Sequence, residues 1–424
     1  MDEALRGRLA AAIAARFDDQ IEATRRLVAI PSLRGAEGPA LDLMADLMRQ
    51  RGLAVDDWTI AADELRHLAG WGPLETPSAA VRSVVGTRQG TGDGRSLILQ
   101  GHIDVVPAGP LDMWRHPPFD PVVEGDWMYG RGACDMKSGM IAILCALDAL
   151  DAVGLTPKGR LHVQSVVEEE STGLGALATL ARGYRAEACL IPEPTGGRLN
   201  RAQVGVLWFR LRVRGRPAHV AYAGDGANAI MAAYHLLQAL HGLELAWNER
   251  AKTATHFGDL DHPINFNAGI IKGGDWASSV PAWCDVDCRI AVLPGWSLAD
   301  CRAEIERTVA EAAKHHDFLR EHPPELVWSG FIAEGHSFQN ATVEAVVGRA
   351  AASVYGVNTV PERIMTGLTD TRFYDLYYGI PAFCFGPSGE WIHGFDERVD
   401  LRSVEQLTLF LALFIAEWCG VEAG

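Results

Sequence analysis

The stretch LILQGHIDVVPAG, residues 97–109, joins an apolar run to two polar side chains, His102 and Asp104. In an extended strand, residues two apart point to the same face, so this imidazole and this carboxylate should face one spot. An imidazole can ligate a metal ion, and a neighbouring carboxylate can orient it. The spacing therefore predicts a reactive site at the end of a buried strand.

Other predicted strands also end in side chains that bind metals. Each of these residues follows an apolar run or, for the aspartate, lies in the loop RGACDMKSG before a helix: Asp135, Glu168, Glu169, Glu170, Glu193 and His393. Ligands in open α/β sheets collect at the carboxyl ends of strands. Imidazoles and carboxylates together form a typical ligand set for zinc and similar divalent ions.

One such residue alone indicates little, because a lone histidine or a run of glutamates is commonly an ordinary polar feature. Several buried carboxylates together are different, because each costs several kcal/mol unless cations neutralise it. A pair of divalent ions that share one carboxylate meets this requirement. The set as a whole therefore predicts a two-metal centre.

The composition is that of an ordinary globular protein, and it excludes several classes of function. Hydrophobic residues make up 48% and charged residues 22% of the 424 residues, a length that suggests two domains. The net charge of −16 argues against a nucleic acid or an anionic membrane as partner. No apolar stretch approaches the roughly 20 residues that span a bilayer.

The N-terminus and the cysteines favour a cytoplasmic protein. The first residues, MDEALRGRLAAAIAARFDDQ, have the charges of an amphipathic helix and lack the apolar core of a signal peptide. The 8 cysteines show no CxxC pairing, so we expect reduced thiols, neither a disulfide framework nor a cysteine-zinc site.

Periodicity and turn residues define the expected elements. Helices are predicted over about 3–30, 41–52, 137–154, 225–243, 298–316, 342–355 and 402–419, and strands over 80–88, 96–101, 160–167, 187–192, 202–220, 264–274, 280–294, 324–330 and 381–385.

The order of these elements predicts an α/β protein with two domains. Strands that alternate with helices indicate a mixed sheet covered on both faces. Between 202 and 333 the order becomes βαββαβ, which is typical of a compact α+β domain inserted in the first. We expect a catalytic domain over 1–201 plus 334–424 and an inserted domain over 202–333.

The chain resembles the co-catalytic zinc metallohydrolase family that contains acetylornithine deacetylase, succinyl-diaminopimelate desuccinylase, aminoacylase and glutamate carboxypeptidase. The resemblance covers nearly the whole chain. Its motifs are GHIDVVP (101–107), WRHPPFDPVVEGDWMYGRGACDMKSG (114–139), VVEEESTGLGA (166–176), IPEPT (191–195), GRPAHVA (215–221), GLTDTRFY (367–374) and HGFDERVDL (393–401). It implies a zinc-peptidase-like catalytic domain and an inserted domain that serves as lid and dimerisation domain.

Carried over position by position, the resemblance implies a ligand set for two metals. His102 and Glu193 would hold one ion, Glu170 and His393 the other, and Asp135 would bridge both. The peptide bond after Asp135 would be cis. Zinc is the expected metal, although cobalt or manganese fits the same ligands.

The resemblance also implies the catalytic roles. Glu169 would be the general base, with Glu168 as its support, and Asp104 would accept the far N–H of His102 and fix its tautomer. His219 would stabilise the oxyanion, reaching the active site of the partner subunit in a homodimer.

Substrate contacts follow from the same motifs. Arg289 matches an arginine that binds a substrate carboxylate, and Asn267 matches an asparagine that contacts substrate. Ser278 departs from the family, which has asparagine there. The remaining candidates form one loop: Gly367, Thr369, Asp370 and Arg372.

We therefore expect a metal-dependent amidohydrolase that cleaves the amide of N-acyl amino acids or related carboxylate-bearing small molecules, as acetylornithine deacetylase does. Two alternatives stay open within the same chemistry: a carboxypeptidase or dipeptidase, and an aminohydrolase of another C–N bond. A third alternative is a ligand-binding homologue without catalysis. The presence of Glu169 argues against it, because a binding protein needs no base. The lid helix over GANAIMAAYHLLQALHGLE could serve the dimer seam as well as the lid core, or the core alone.

Overall fold

A computed structural model describes residues 2–74 and 80–424 of the chain. The helices are α1 Glu3–Ala14, α2 Phe17–Val28, α3 Gly38–Gln50, α4 Ser138–Ala152, α5 Leu174–Ala181, α6 Ala229–Ala251, α7 Leu298–Lys314, α8 Ala341–Tyr355 and α9 Leu401–Cys419. The strands are β1 Ala54–Ala61, β2 Ala80–Arg88, β3 Leu97–His102, β4 Val122–Glu124, β5 Trp127–Tyr129, β6 Leu155–Pro157, β7 Leu161–Val166, β8 Cys189–Ile191, β9 Leu199–Gln203, β10 Gly205–Arg214, β11 Phe266–Gly273, β12 Trp283–Val292, β13 Glu325–Ala333, β14 His336–Ser337, β15 Glu362–Met365, β16 Ala382–Cys384, β17 Gly389–Glu390, β18 Arg398–Asp400 and β19 Val421–Ala423.

The largest sheet in the described part of the chain is mixed, as the sequence predicts. Its strand order is β1-β2-β7-β3-β8-β16. The first two pairings are antiparallel, whereas β7, β3, β8 and β16 run parallel to one another. Helices α1, α4, α8 and α9 pack together in one layer, and α3 and α5 contact β2. The parallel strands β3 and β7 are therefore fully buried, including their polar residues.

A second unit, which we call the lid, is built from β10 to β13 with α6 and α7. Its element order is the predicted βαββαβ, and its antiparallel sheet has the order β11-β12-β10-β13. The apolar side chains of the lid form a core separate from that of the central sheet. The combination of a mixed catalytic sheet and an inserted α+β lid confirms the predicted fold class. The predicted bounds of 202–333 for the insert stay a prediction.

The single helix predicted over 3–30 is wrong. The chain forms α1 and α2, and Arg16 between them has a non-helical backbone with φ −126° and ψ 14°. Helix α1 packs on α4 and α9, whereas α2 packs on α4 and the loop around 133–137. One straight helix could not reach both surfaces, and the intervening alanines give no local signal for the break.

The long strand predicted over 202–220 is also wrong. It consists of β9 and β10, which belong to different sheets, and the chain leaves the strand conformation after Arg214. At the change of sheet, the N–H of Val204 donates to the carbonyl of Met365 at 3.2 Å. Apolar residues continue across this point because both strands are buried, so the sequence pattern hides the break.

The bounds of one lid helix differ from the prediction. Helix α6 begins at Ala229, after Asn228, whose side chain accepts the N–H groups of Ile230 and Met231. It therefore begins and ends later than the predicted 225–243.

The cysteines are free, as predicted. Among the residues that the structure describes, no helix combines the length and apolar character needed to cross a bilayer.

Candidate metal centre

The carboxyl ends of the parallel strands meet at one edge of the central sheet and bring the predicted ligands together. His102 is the last residue of β3, and its register partner on β7 is Val166, just before the glutamate run at 168–170. Glu193 follows β8, which pairs with β3 on its other side. His393 lies in the segment after β16. Parallel pairing is thus the reason why residues distant in sequence converge.

One ring nitrogen of His102 faces the acidic cluster, by which we mean Asp135, Glu169, Glu170 and Glu193. The other ring nitrogen faces the main chain. Its Nδ1 lies 3.0 Å from the main-chain carbonyl oxygen of Asp104 and 3.6 Å from Oδ1 of that residue. A carbonyl only accepts, so Nδ1 carries the proton and Nε2 is directed toward Asp135 and Glu193, at 3.1 and 3.7 Å. The carbonyl, more than the predicted carboxylate, is therefore the nearest group that fixes the tautomer.

Asp135 stands between two histidines from opposite sides of the site. Its Oδ1 lies 3.1 Å from Nε2 of His102, and its Oδ2 lies 3.5 Å from Nε2 of His393. Nε2 of His393 also lies 3.0 Å from Oε1 of Glu170. The peptide bond between Asp135 and Met136 is cis, as the resemblance implies. The carboxylate thus lies between the two histidines, where the sequence analysis expects a bridging ligand.

The charges in this cluster shift one another's pKa values. Burial disfavours the charged form of His102, but the surrounding carboxylates of Asp104, Asp135, Glu193 and Glu169 outweigh it and hold the pKa of His102 well above its ordinary value. Burial also opposes Asp135, yet the two histidines keep its pKa below the usual range. Such mutual shifts are typical of functional sites.

Glu169 and Glu193 are the most deeply buried glutamates of the acidic cluster. Glu169 is 7% and Glu193 5% exposed. Burial is the largest cause that raises the pKa of both side chains well above the ordinary value; neighbouring carboxylates add to it, and His102 opposes it. Oε2 of Glu169 lies 3.9 Å from Nε2 of His102. Glu169 is thus placed beside the ligand set, where a base for water would be needed.

The remaining acidic residues hold the turn that carries Glu169 and Glu170. Oδ2 of Asp104 accepts the main-chain N–H of Glu170 at 3.2 Å, which ties the end of β3 to the turn after β7. Glu168 has a left-handed backbone with φ 67°, and its carboxylate accepts from Arg34 at 2.7 and 3.0 Å. The hydroxyls of Ser171 and Thr172 also donate to it. Glu168 is therefore engaged in structure, as the sequence analysis expects.

The donor set fits divalent metal ions. One ligand atom each from His102, Asp135 and Glu170 lie within 4.8 Å of one another. Oε1 of Glu193 is buried and has no hydrogen-bond partner among the described residues. Such an oxygen costs free energy unless a cation or donor satisfies it. Imidazole and carboxylate donors around an excess of buried negative charge thus match a metal centre.

Two predicted substrate residues lie side by side on the lid. Arg289 on β12 is paired in register with Asn267 on β11 and with Trp208 on β10. Arg289 donates to the carbonyl of Asn265 at 3.3 Å, and its burial lowers the pKa of its guanidinium. Residues alternate along β12, so Arg289 lies on the sheet face opposite the lid core. The described residues provide no carboxylate within ion-pair distance of it.

His219 is not bonded to the candidate metal ligands of its own chain. It is exposed, its Nδ1 accepts the N–H of Ala221 at 3.1 Å, and no hydrogen bond or ion pair joins it to the cluster within residues 2–74 and 80–424. Its neighbour Val220 donates to the carbonyl of Ser278 at 3.0 Å. The loop that contains Ser278, where the family has asparagine, is therefore hydrogen-bonded to the segment that carries His219.

Two side chains of the loop 367–372 are bonded to groups inside the fold, and one of them keeps an unpartnered nitrogen. Thr369 is buried, and its hydroxyl lies 2.7 Å from Oε1 of Gln203, so its side chain is used inside the fold. Gly367 is half-buried at the start of the loop. Arg372 is buried, and its Nη2 donates to the carbonyl of Thr172 at 3.0 Å. Its Nη1 is buried and has no hydrogen-bond partner among the described residues.

Sequence reasoning missed one group beside the ligands. Glu397 is fully buried, and its carboxylate accepts the N–H of Asp135 at 3.1 Å. It belongs to the motif HGFDERVDL, where its polar neighbours give the pattern of an exposed turn. A glutamate so close after His393 was the available signal, but its burial arises only from long-range packing.

Comparisons with known proteins agree with this geometry. Residues 98–417 match the model of the peptidase family M20/M25/M40. A relative from Halalkalibacterium halodurans, named N-formyl-4-amino-5-aminomethyl-2-methylpyrimidine deformylase, is 29% identical over 343 residues, 77% of this chain and 79% of the relative. A protein of the same name from Bacillus subtilis is 26% identical over 411 residues, 92% and 91% of the two chains. The structure of a di-peptidase from Saccharomyces cerevisiae superposes with a TM-score of 0.81 at 16% identity, covering 99% of each chain.

Proposed function

The chain belongs to the peptidase family M20/M25/M40, a family of C–N bond hydrolases, and on that premise we propose that it is a metal-dependent deacylase of small N-acyl amines. The observation that carries the proposal is the position of Asp135 between His102 and His393 with buried Glu169 alongside. This arrangement supports two metal ions and one base. A ligand-binding protein without catalysis has no use for Glu169 in that place.

The protein's own residues would perform the proton transfers. When bound, the ions supply Lewis acidity, which makes water more acidic and the amide carbonyl more electrophilic. Glu169 would take a proton from the attacking water and pass it to the nitrogen of the departing amine. His102, held in one tautomer by the carbonyl of Asp104, would keep Nε2 available for the metal.

The expected ligand sets are those of the sequence analysis. His102 and Glu193 would hold one ion, Glu170 and His393 the other, and Asp135 would bridge them. The contacts of Asp135 with both histidines and the unpartnered oxygen of Glu193 support this division. Zinc is the proposed ion, and cobalt or manganese would suit the same donors.

The substrate we propose is a formyl or acetyl amide of a primary amine. Both deformylase relatives are named for the removal of a formyl group from an aminomethylpyrimidine. This makes an N-formylated aminomethyl heterocycle the first compound to test. Arg289, half-buried on the sheet face opposite the lid core and without a described carboxylate partner, supports a substrate that carries a carboxylate.

The same chemistry would also cleave a dipeptide. The similarity to the yeast di-peptidase, at 16% identity, shows the shared fold only. An experiment must therefore separate the classes. Matched N-formyl, N-acetyl and aminoacyl derivatives of an aminomethylpyrimidine and of amino acids would be incubated with metal-loaded protein, and release of primary amine would be measured. Cleavage of the acyl derivatives and not of dipeptides supports a deacylase. The reverse result supports a dipeptidase, and no cleavage with both metals bound contradicts the proposal.

We also propose that the lid forms a homodimer. Strand β11 is the edge of the lid sheet, and Ile270 and Ile271 on it are 51% and 55% exposed. On helix α6, Met231 and Tyr234 are also more than half exposed. An unpaired edge strand with exposed isoleucines is suited to pairing with a second copy of itself across a two-fold axis. The dimer would explain why His219 is not bonded to the candidate metal ligands of its own chain.

The proposed location is the cytoplasm, and the thiols support it. The cysteines are free and mostly buried. Burial raises the pKa of Cys134 and Cys189, which keeps these thiols unreactive. A protein with this many unpaired cysteines suits a reducing compartment.

A further inference from the structure

One buried carboxylate binds the whole loop that presents Asp135. Oε1 of Glu397 accepts the main-chain N–H groups of Gly132, Cys134 and Asp135, each at 3.1 Å. Oε2 accepts from Nη1 of Arg131 at 2.6 Å. The main-chain carbonyl of Glu397 also accepts the N–H of Gly130 at 2.9 Å. A single residue therefore accepts four of the main-chain N–H groups in the segment 130–135 and one side-chain donor.

This loop needs such an acceptor because its backbone is irregular. Gly132 has a left-handed φ of 80°, and Asp135 has φ −113° and ψ 95°, outside the helical region. The N–H groups of this segment therefore cannot pair in a helix ladder. Buried N–H groups without partners would each destabilise the folded loop. Successive N–H groups that converge on one anion form a concave site of the kind that favours a carboxylate.

The same residue connects the loop to the second histidine. Glu397 lies in the segment that begins with His393 and continues into β18, which pairs with β5 just before the loop. Arg131 donates its Nη1 to Glu397 and its Nη2 to the carbonyl of Gly394 at 3.0 Å. The Arg131–Glu397 pair thus joins the turn of His393 to the loop of Asp135, and both side chains are buried.

We propose that Glu397 is a positioning residue that sets the place of Asp135 between the two metal ions. It does not touch the reacting atoms. It holds the Asp135 main chain directly, and through Arg131 it fixes the spacing between Asp135 and His393. This inference rests on the proposed metal centre. Metal binding by the wild-type protein, measured in the same experiment, tests that centre separately.

The test compares metal binding by three variants of metal-stripped full-length protein. Glu397→Gln keeps the size of the side chain but removes its charge and places an amide N–H₂ near Arg131 or the loop N–H groups. Glu397→Asp keeps the charge but withdraws it by one methylene. Glu390→Gln is the control, because Glu390 is an exposed carboxylate that pairs with Arg398 beside the same segment. Each protein would be titrated with Co²⁺, and affinity, stoichiometry and the visible Co²⁺ spectrum would be recorded.

We expect both Glu397 variants to bind Co²⁺ about 10–100-fold more weakly, as is typical for residues that orient metal ligands. Their Co²⁺ spectra should change, because Asp135 shifts relative to the histidines, whereas Glu390→Gln should match wild type. If Glu397→Gln does not fold, Glu397→Asp decides the question. Wild-type affinity and spectrum in a folded Glu397 variant would overturn the inference. Failure of the wild-type protein itself to bind Co²⁺ would instead overturn the proposed metal centre.

Discussion

Oδ1 of Asp135 lies 3.1 Å from Nε2 of His102, at the carboxyl end of a parallel strand, and this contact uses only one of the two carboxylate oxygens. The other oxygen faces His393, which arrives from a distant part of the chain. A carboxylate placed in this way can ligate two ions at once, one through each oxygen. Its single negative charge does not fully neutralise either ion. This geometry is the basis of the proposed two-metal centre.

Asp135→Asn should abolish the two-metal centre. Asparagine offers one neutral oxygen, so it cannot bridge two cations or offset their charge. We expect the metal content of purified protein to fall to one ion or less and kcat to fall at least about 10²-fold. Asp120→Asn, at an exposed position, serves as the control. Metal analysis by mass spectrometry checks the stoichiometry, and two tightly bound ions in Asp135→Asn would show that Asp135 is not the bridge.

Glu169→Gln and Glu168→Gln should separate the base from its support. Glutamine at 169 cannot take a proton, so kcat should fall about 10²–10⁴-fold while both metals stay bound. Glutamine at 168 loses the charged pair with Arg34, so it should mainly lower the thermal unfolding temperature. Steady-state kinetics and calorimetry on both variants give the comparison. Full activity in Glu169→Gln, or the larger kinetic loss in Glu168→Gln, would reassign the base.

His219 should act across the dimer. Mixed dimers of His219→Ala and Glu169→Gln subunits would contain one site in which both residues are native. Random mixing makes about half of the dimers mixed, so about a quarter of wild-type activity should return. Mixing Glu169→Gln with Asp135→Asn, whose defects lie in the same catalytic unit, should restore nothing. If the first mixture stays as inactive as its components, His219 does not complete the partner's site.

Asp370→Asn should stabilise metal-free protein in a manner that depends on pH. Burial is the largest cause that raises the pKa of Asp370 to about 7. Between the unfolded-state pKa of about 4 and that value, the folded state holds a proton that the unfolded state has lost. The free energy of unfolding of the native protein therefore falls as pH rises through this window and loses no more above it.

Asparagine cannot ionise and can still accept from Gln100, which donates to Asp370 at 3.0 Å. The unfolding temperature of Asp370→Asn should thus exceed that of wild type by a small amount at about pH 4 and by a larger amount at about pH 8. Asp112→Asn, at an exposed position, is the matched control. An equal difference at both pH values would show that Asp370 does not titrate in this window.

The convergence of the candidate metal ligands could be predicted from the sequence because parallel strands place successive strand ends at one edge. His102, Glu170 and Glu193 each follow an apolar run, and the sheet order brings those runs together. The tautomer of His102 could not be predicted in the same way. A main-chain carbonyl, invisible in any pattern of side chains, lies closer to Nδ1 than the carboxylate of Asp104.

Other features escaped prediction because they depend on packing between distant segments. Strand β1, with the sequence AVDDWTIA, carries two aspartates and no apolar run, yet it pairs along its full length with β2. Glu397 is buried only because the loop 130–135 closes over it. Arg372 resembles a substrate residue in sequence, but its Nη2 donates to the carbonyl of Thr172 inside the fold. Local patterns do not record such long-range partners.

The most direct test of the metal centre is a titration of metal-stripped wild-type protein with Zn²⁺ or Co²⁺ during hydrolysis of an N-formyl aminomethylpyrimidine. Released amine and bound metal would be measured on the same samples. We predict no amine release without metal and full activity only when two ions are bound per chain. Full activity in the presence of a strong chelator, or with a single ion per chain, would contradict the two-metal mechanism.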